Sequence, residues 1–103
     1  MLYFDNCYKQ LASLIYAKPV RLVDIAIQFN ILGEGNGIFY VENKNSKLSV
    51  EPYNYFDNDA VVEATFETLM LVFTNQISVE EAMNKGIMTV KGNINKVLYL
   101  FAI

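Results

Sequence analysis

The period of hydrophobic and polar positions changes several times along the chain, and each change marks an element. Phe4, Cys7, Tyr8, Leu11, Leu14 and Ile15 follow the i, i+3, i+4, i+7 spacing of an amphipathic helix over residues 3–15. Asp5 and Asn6 suit its first turn, and Lys18-Pro19 ends it, because proline disfavours helix at the residue before it. In "VDIAIQFNIL" the apolar Val23, Ile25, Ile27, Phe29 and Ile31 alternate with Asp24, Ala26, Gln28 and Asn30, the period-2 signature of a half-buried strand. "GEGNG" at 33–37 turns this strand back into "IFYVEN", with Asn36-Gly37 suited to positive φ. A second turn, "NKNSK" at 43–47, leads into "LSVEPY". There Leu48 and Val50 share a face, and Pro52 stops the strand or marks it as an edge, having no N–H to donate.

A fourth strand, "AVVEATF", follows Asp57-Asn58-Asp59, and from Thr65 the period becomes helical, with Phe66, Leu69, Met70 and Phe73 on one stripe over residues 66–74. Asn75 stands where a left-handed C-terminal residue is wanted. Ser78 caps a further helix, Glu81 three residues on completes a capping box, and Gly86 ends it. "IMTVK" reads as a short strand with Met88 and Val90 on one face. Gly92-Asn93 then opens a last helix with Ile94, Val97, Leu98 and Phe101 in one stripe, leaving Leu100 and Ile103 off it and unexplained. Helix, three meandering strands, a fourth strand, two helices, a strand and a helix, with no repeat and no linker, predict a single α+β domain over residues 1–103. Its five-stranded sheet is twisted and mostly antiparallel, with helices covering one face.

Composition narrows the class. Of the 103 residues, 53% are hydrophobic, 14% aromatic and 18% charged. That is enough apolar surface for one core and rules out a disordered chain. The apolar content exceeds the globular average of roughly 45–50%, so it fills a core, lines a cavity or covers an interface. A net charge of −3 and basic residues scattered without a run predict no nucleic-acid partner and no polybasic lipid anchor. No apolar stretch approaches the ~20 residues of a membrane span, so no integral membrane contact is expected. With no histidine and a single cysteine, the Ser-His and Cys-His nucleophile systems, most zinc sites and an internal disulfide drop out. Without a signal peptide, sequon or peroxisomal tail, a cytoplasmic location is expected.

From Asp59 to Leu98 the sequence carries a recognisable combination. An Asp precedes a strand, a helix holds Phe66, Leu69 and Phe73, a short helix carries Ala82, and Gly86-Ile87-Met88-Thr89-Val90-Lys91-Gly92-Asn93 forms a strand and turn into a terminal helix. This resembles the second half of the sterol carrier protein-2 (SCP2) domain, and the resemblance extends over about residues 20–103. Asn75 replaces the family's usual turn glycine, the N-terminal helical region is short, and the peroxisomal tail is absent. The resemblance implies a sheet covered by helices, with an apolar tunnel between the layers for sterols, fatty acids, acyl-CoA or similar lipids, and no catalysis in the stand-alone form. The walls it implies are Ile25, Ile27 and Phe29 from the first strand, Leu69, Met70 and Phe73 from a helix, and Met83. Met88 and Val90 follow from the last strand, and Val97, Leu98 and Phe101 from the terminal helix.

Other chemistry has plainer readings. "GEGNG" runs into a strand, whereas a phosphate loop must run into a helix. Glu80-Glu81, Asp57/Asp59 and Glu63/Glu67 are helix-start, turn and surface carboxylates; no nucleophile, base and orienter can be assembled around them, and no catalytic residue, metal or cofactor is expected. Cys7, on the apolar face of the first helix, reads as a buried inert thiol, although its place in the first turns leaves reactivity open. The methionines Met1, Met70, Met83 and Met88 suit an adaptable apolar wall as well as core gaps. The expected function is non-covalent binding of a hydrophobic small molecule or lipid. The alternative is an interaction or dimerisation module with a filled core, joined to a second copy or a partner through its tyrosines and terminal helix.

Overall fold

Every inward residue of the first strand is buried, which places that strand at the centre of the sheet. The computed structural model describes residues 1–19 and 23–102, with the elements α1 (Phe4–Tyr16), β1 (Ile25–Leu32), β2 (Gly37–Lys44), β3 (Lys47–Glu51), β4 (Ala60–Thr65), α2 (Phe66–Phe73), α3 (Val79–Asn84), β5 (Met88–Gly92) and α4 (Ile94–Phe101). The five strands lie in the order β3-β2-β1-β4-β5, antiparallel except for the parallel pair β1 and β4. The mostly antiparallel α+β architecture is therefore as the sequence predicts. Ile103 lies outside the described residues.

The turns divide between prediction and correction. Asn45 and Ser46 both take positive φ, 53° and 62°, the mirror-image turn that suits a two-residue hairpin between β2 and β3. In "GEGNG", positive φ falls on Gly33 (74°) and Gly35 (76°), not on Asn36-Gly37. Gly37 is already in the ladder opposite Ile31, and its missing side chain makes room for the Phe4 ring. A Cβ on Gly35 would stand 2.6 Å from Cys7 Sγ, so α1 seats directly on this turn. Asn75 has φ 61°, the left-handed conformation expected of the residue that ends α2.

Helix starts are built from side-chain oxygens. Thr65 accepts from the Thr68 N–H at 3.2 Å, Ser78 from Glu81 at 3.0 Å and Asn93 from Lys96 at 3.3 Å. The expected capping role of Ser78 is observed, while the Glu81 carboxylate pairs with Lys85 at 3.4 Å. Buried positions then define the face each helix turns to the sheet: Cys7, Leu11 and Ile15 on α1, Phe66, Leu69 and Phe73 on α2, Val79 and Ala82 on α3. These spacings of three and four residues place the side chains on one side of a helix.

The far face of the sheet is polar. Asn30 donates to Glu63 at 3.1 Å across the parallel β1–β4 pair, and Thr89 and Lys91 of β5 approach the other Glu63 oxygen at 3.4 and 3.7 Å. Tyr55, in the connection from β3 to β4, packs its ring on Tyr40 with centroids 4.8 Å apart and donates its hydroxyl to Glu42. That bond and desolvation push the Tyr55 phenol up to about 12. Ala26, on this same face, is buried rather than exposed, and it shares a pocket with Tyr55 and Asp59. At the β3 edge the Val50 N–H donates to the Tyr16 hydroxyl (2.8 Å), and the Val50 carbonyl accepts from Tyr8 (2.8 Å). Two tyrosines of α1 thus occupy backbone groups that an edge strand would otherwise offer to another chain.

Asp59 joins three elements. Its carboxylate accepts from the Ala26 N–H at 2.8 Å and pairs with Lys96 at 3.3 Å, its own N–H donates to the Ala26 carbonyl at 2.6 Å, and its carbonyl accepts from Asn93 at 2.8 Å. Gly92, with φ 106°, packs so close that a Cβ there would lie 2.5 Å from the Asp59 carbonyl oxygen. Replacing Asp59 by Ala leaves the Ala26 N–H without its acceptor; we expect a loss of about 1–3 kcal/mol in urea unfolding, with Asp59→Asn retaining part of it.

Candidate functional site

Between the layers stands a column of rings. Phe29 of β1 stacks on Phe39 of β2 with centroids 5.0 Å apart and planes 8° from parallel. Phe73 and Phe101 approach Phe29 from the helix side at 5.7 and 6.3 Å and lie 4.4 Å from each other, while Tyr8 meets the edge of Phe39 at 5.8 Å. Offset and edge-on geometries of this kind add to the burial that holds such rings.

The residues predicted to line an interlayer cavity divide into three groups. Ile25, Ile27, Phe29, Leu69, Phe73, Met88, Val97 and Phe101 are buried between sheet and helices. Met70, Val90 and Leu98 pack half-buried at its margin. Met83 is 36% exposed, which corrects its placement as a wall: Val79 and Ala82 already take the inward positions of α3, and the next residue is rotated away. Met70 turns towards α1, where with Lys9, Gln10, Ser13 and Leu14 it lines a shallow groove.

The cleft that reaches the ring column opens elsewhere. It has a volume of about 240 Å³ and is lined by Val72, Ile77, Val79, Leu98, Phe101 and Ala102, with Asn75, Ser78 and Glu80 at its polar margin. It lies between the α2–α3 corner and the end of α4. Phe101, which lines it, touches Phe73 behind, so the cleft leads towards Phe29. Val72 and Ile77 were not among the predicted wall residues. Val72 belongs to the apolar arc of α2, but the stripe drawn through Phe66, Leu69 and Phe73 passes beside it, and Ile77 lies in a turn where periodicity gives no signal. On the other side of α4, Leu100 meets Ile15, Ile25 and Leu48 around a void of about 10 Å³. Leu100 is therefore core, a correction to its place off the stripe: α4 is buried on two sides, and Val97, Leu100 and Phe101 form the i, i+3, i+4 set.

The lone thiol lies outside this cleft. Cys7 is fully buried, and that burial, reinforced by Glu67 and Glu34, pushes its thiol above the ordinary value, away from the reactive thiolate. Among the described residues, no group of three or more histidines, cysteines or carboxylates is placed to hold a metal ion, and no helix is long and apolar enough to cross a membrane.

This arrangement has known relatives. A profile of the SCP-2 sterol transfer family matches residues 11–103. The chain belongs to that family. Among solved structures, sterol carrier protein 2-like 2 from Aedes aegypti shares the fold of this SCP2 chain. Its TM-score is 0.70 at 18% identity, with 96% of this chain and 94% of that one covered. The sterol carrier protein-2 of Aedes aegypti in complex with palmitate gives 0.61 at 22% identity, covering 99% and 96%. The sec-alkylsulfatase Pisa1 from Pseudomonas sp. contains a similar unit, with a TM-score of 0.69 at 16% identity. Only 76% of this chain is covered there, and the match spans 12% of the alkylsulfatase's length. No curated protein matches by sequence.

The SCP2 sheet also carries a pH-sensitive contact away from the cleft. The Asn30 amide, and then the Lys91 ammonium, hold the Glu63 carboxyl below its ordinary value of 4.5. Because the folded value is depressed, the stabilisation is present above about pH 4.5 and is lost as pH falls through the folded value. Replacing Glu63 by Gln should therefore lower stability at neutral pH and flatten the acid limb of a stability–pH profile, as measured by urea midpoints.

Proposed function

We propose that this SCP2 chain binds a hydrophobic ligand non-covalently, for carriage or sensing, and makes or breaks no bond in it. Residues 1–103 act as one lipid-binding domain, and the cytoplasm is the setting proposed for it. The observation that carries the reading is the apolar cleft of about 240 Å³ between the α2–α3 corner and α4, which leads through Phe101 to Phe73 and Phe29. Ligand classes consistent with it are fatty acids, acyl-CoA and sterol-like lipids; palmitate occupies a relative of the same fold. Affinity comes from apolar area removed from water, at ~25 cal/mol per Å².

Drug-sized ligands occupy pockets of roughly 300–1,000 Å³, so a long chain must move side chains aside to enter. Phe101 is the side chain to move, because it lines the cleft and packs directly on Phe73 behind it. The buried set Ile25, Ile27, Phe29, Leu69, Met88 and Val97 then forms the deeper wall.

The second reading, an interaction or dimerisation module, is favoured by one observation: Tyr53 and Phe56, in the connection from β3 to β4, are 62% and 91% exposed. A titration with a fluorescent fatty acid, run with light scattering, separates the two. We expect saturable binding to a chain whose mass does not change. Phe101→Ala should bind the probe several-fold more tightly while losing about 3 kcal/mol of stability. A folded chain that binds no probe and associates as its concentration rises would establish the interaction module instead.

A further inference from the structure

The cleft margin carries information about the head of the ligand, and its meaning rests on the proposed binding of a ligand in that cleft. Asn75, Ser78 and Glu80 are the polar residues of the lining, and among the described residues that form it there is neither lysine nor arginine. Four of the seven lysines pair with carboxylates elsewhere: Lys85 with Glu81, Lys96 with Asp59, Lys91 with Glu63 and Lys9 with Asp5. Among the described residues no cation pairs with Glu80, which is exposed at the start of α3.

We infer that this cleft selects apolar ligands with an uncharged polar head, such as a hydroxyl, ester or amide, over carboxylates and phosphates, and that Glu80 sets the preference. A chain that enters towards Phe101 leaves its head beside Asn75, Ser78 and Glu80. A hydroxyl there can donate to the Glu80 carboxylate, a charge-assisted bond stronger than a neutral one. The Asn75 amide supplies both a donor and an acceptor, and the Ser78 oxygen already accepts from Glu81 while its proton remains available to a head group. A carboxylate or phosphate in the same place can still accept from Asn75 and Ser78, but it meets the Glu80 charge with no cation among the described lining residues to offset it. The first turn of α3 gives no compensating attraction, because Glu80 and Glu81 already bring negative charge to it. The margin is open to water, so the discrimination is modest and falls with ionic strength.

The test is displacement of Nile red, an uncharged probe, by 1-decanol and by decanoate, matched in chain length, at pH 8 and low salt. Wild-type protein should release the probe at a decanol concentration at least about fivefold below that of decanoate. An uncharged head is easier to bury in any apolar site, so the decisive quantity is the ratio of the two across variants. Glu80→Gln should narrow it, Glu80→Lys should narrow it by about tenfold or reverse it, and added salt should narrow it in wild type alone. Glu80 is exposed and Ser78 still caps the helix in both variants, so circular dichroism should be unchanged. An equal ratio in wild type and Glu80→Lys overturns the role of Glu80, and decanoate binding wild type as well as decanol overturns the preference itself. If Nile red does not bind, or neither compound displaces it, the binding reading falls and this inference falls with it.

Discussion

Asp59 holds the sheet and the helix layer in one arrangement, because a single residue answers to β1, β4 and α4 at once. Hairpins can place β2 beside β1 and β3 beside β2 with only local turns, but β4 arrives after a connection from the far edge and must join β1 in parallel. The reciprocal bonds between Asp59 and Ala26 fix that junction, and the register Ile27↔Ala60 to Leu32↔Thr65 runs from it. A shift by one residue would turn Ala60, Val62 and Ala64 to the polar face and bring Val61 and Glu63 inward, which a buried carboxylate forbids. The same residue receives Asn93 and Lys96, so the start of α4 is tied to the start of β4.

From this junction the remaining elements are placed mostly by geometry. β4 leads without a loop into α2, the Asn75 turn brings α3 round, and β5 returns beside β4 to launch α4 from Gly92. α4 therefore starts at a fixed point and lies along the interlayer with Leu100 on one side and Phe101 on the other. Phe101 closes on Phe73 and faces the cleft; Leu100 closes on Ile15 and Ile25 and faces core. The binding reading depends on this split, since the Phe101 side borders a cleft of about 240 Å³ and the Leu100 side a void of about 10 Å³. Across the parallel pair Phe29 stands opposite Val62, with the small Ala60 and Ala64 two positions to either side, and all four are buried.

Most of the fold was legible in the sequence because its elements are short and each carries its own period. The alternation through Ile25, Ile27, Phe29 and Ile31, the stripe through Phe66, Leu69 and Phe73, the cap at Ser78 and the helix start at Gly92-Asn93 are local signals that the tertiary structure did not override. The misplacements came where one local pattern admits two answers. "GEGNG" offers several residues tolerant of positive φ, and the seat of Phe4 and Cys7 on the turn decided among them. The terminal helix fits two phases, through Leu98 or through Leu100, and contact with α1 favoured burial of the second. Met83 is apolar and flexible, but two better-placed residues had already filled the inward face of so short a helix.

By itself, then, the sequence determined the order and type of the elements, the faces buried by α1, α2 and β1, the left-handed stop at Asn75 and the lack of a histidine-based site. Each follows from side-chain periodicity, backbone preference or composition, which act within a few residues. Tertiary structure alone decided that β1 and β4 run parallel, that Asp59 is the joint between layers, and that the cleft is lined by Val72, Ile77 and Val79 rather than by Met70 and Met83. These depend on contacts between residues far apart in the chain, and a packed core and an open cleft are written in the same apolar alphabet.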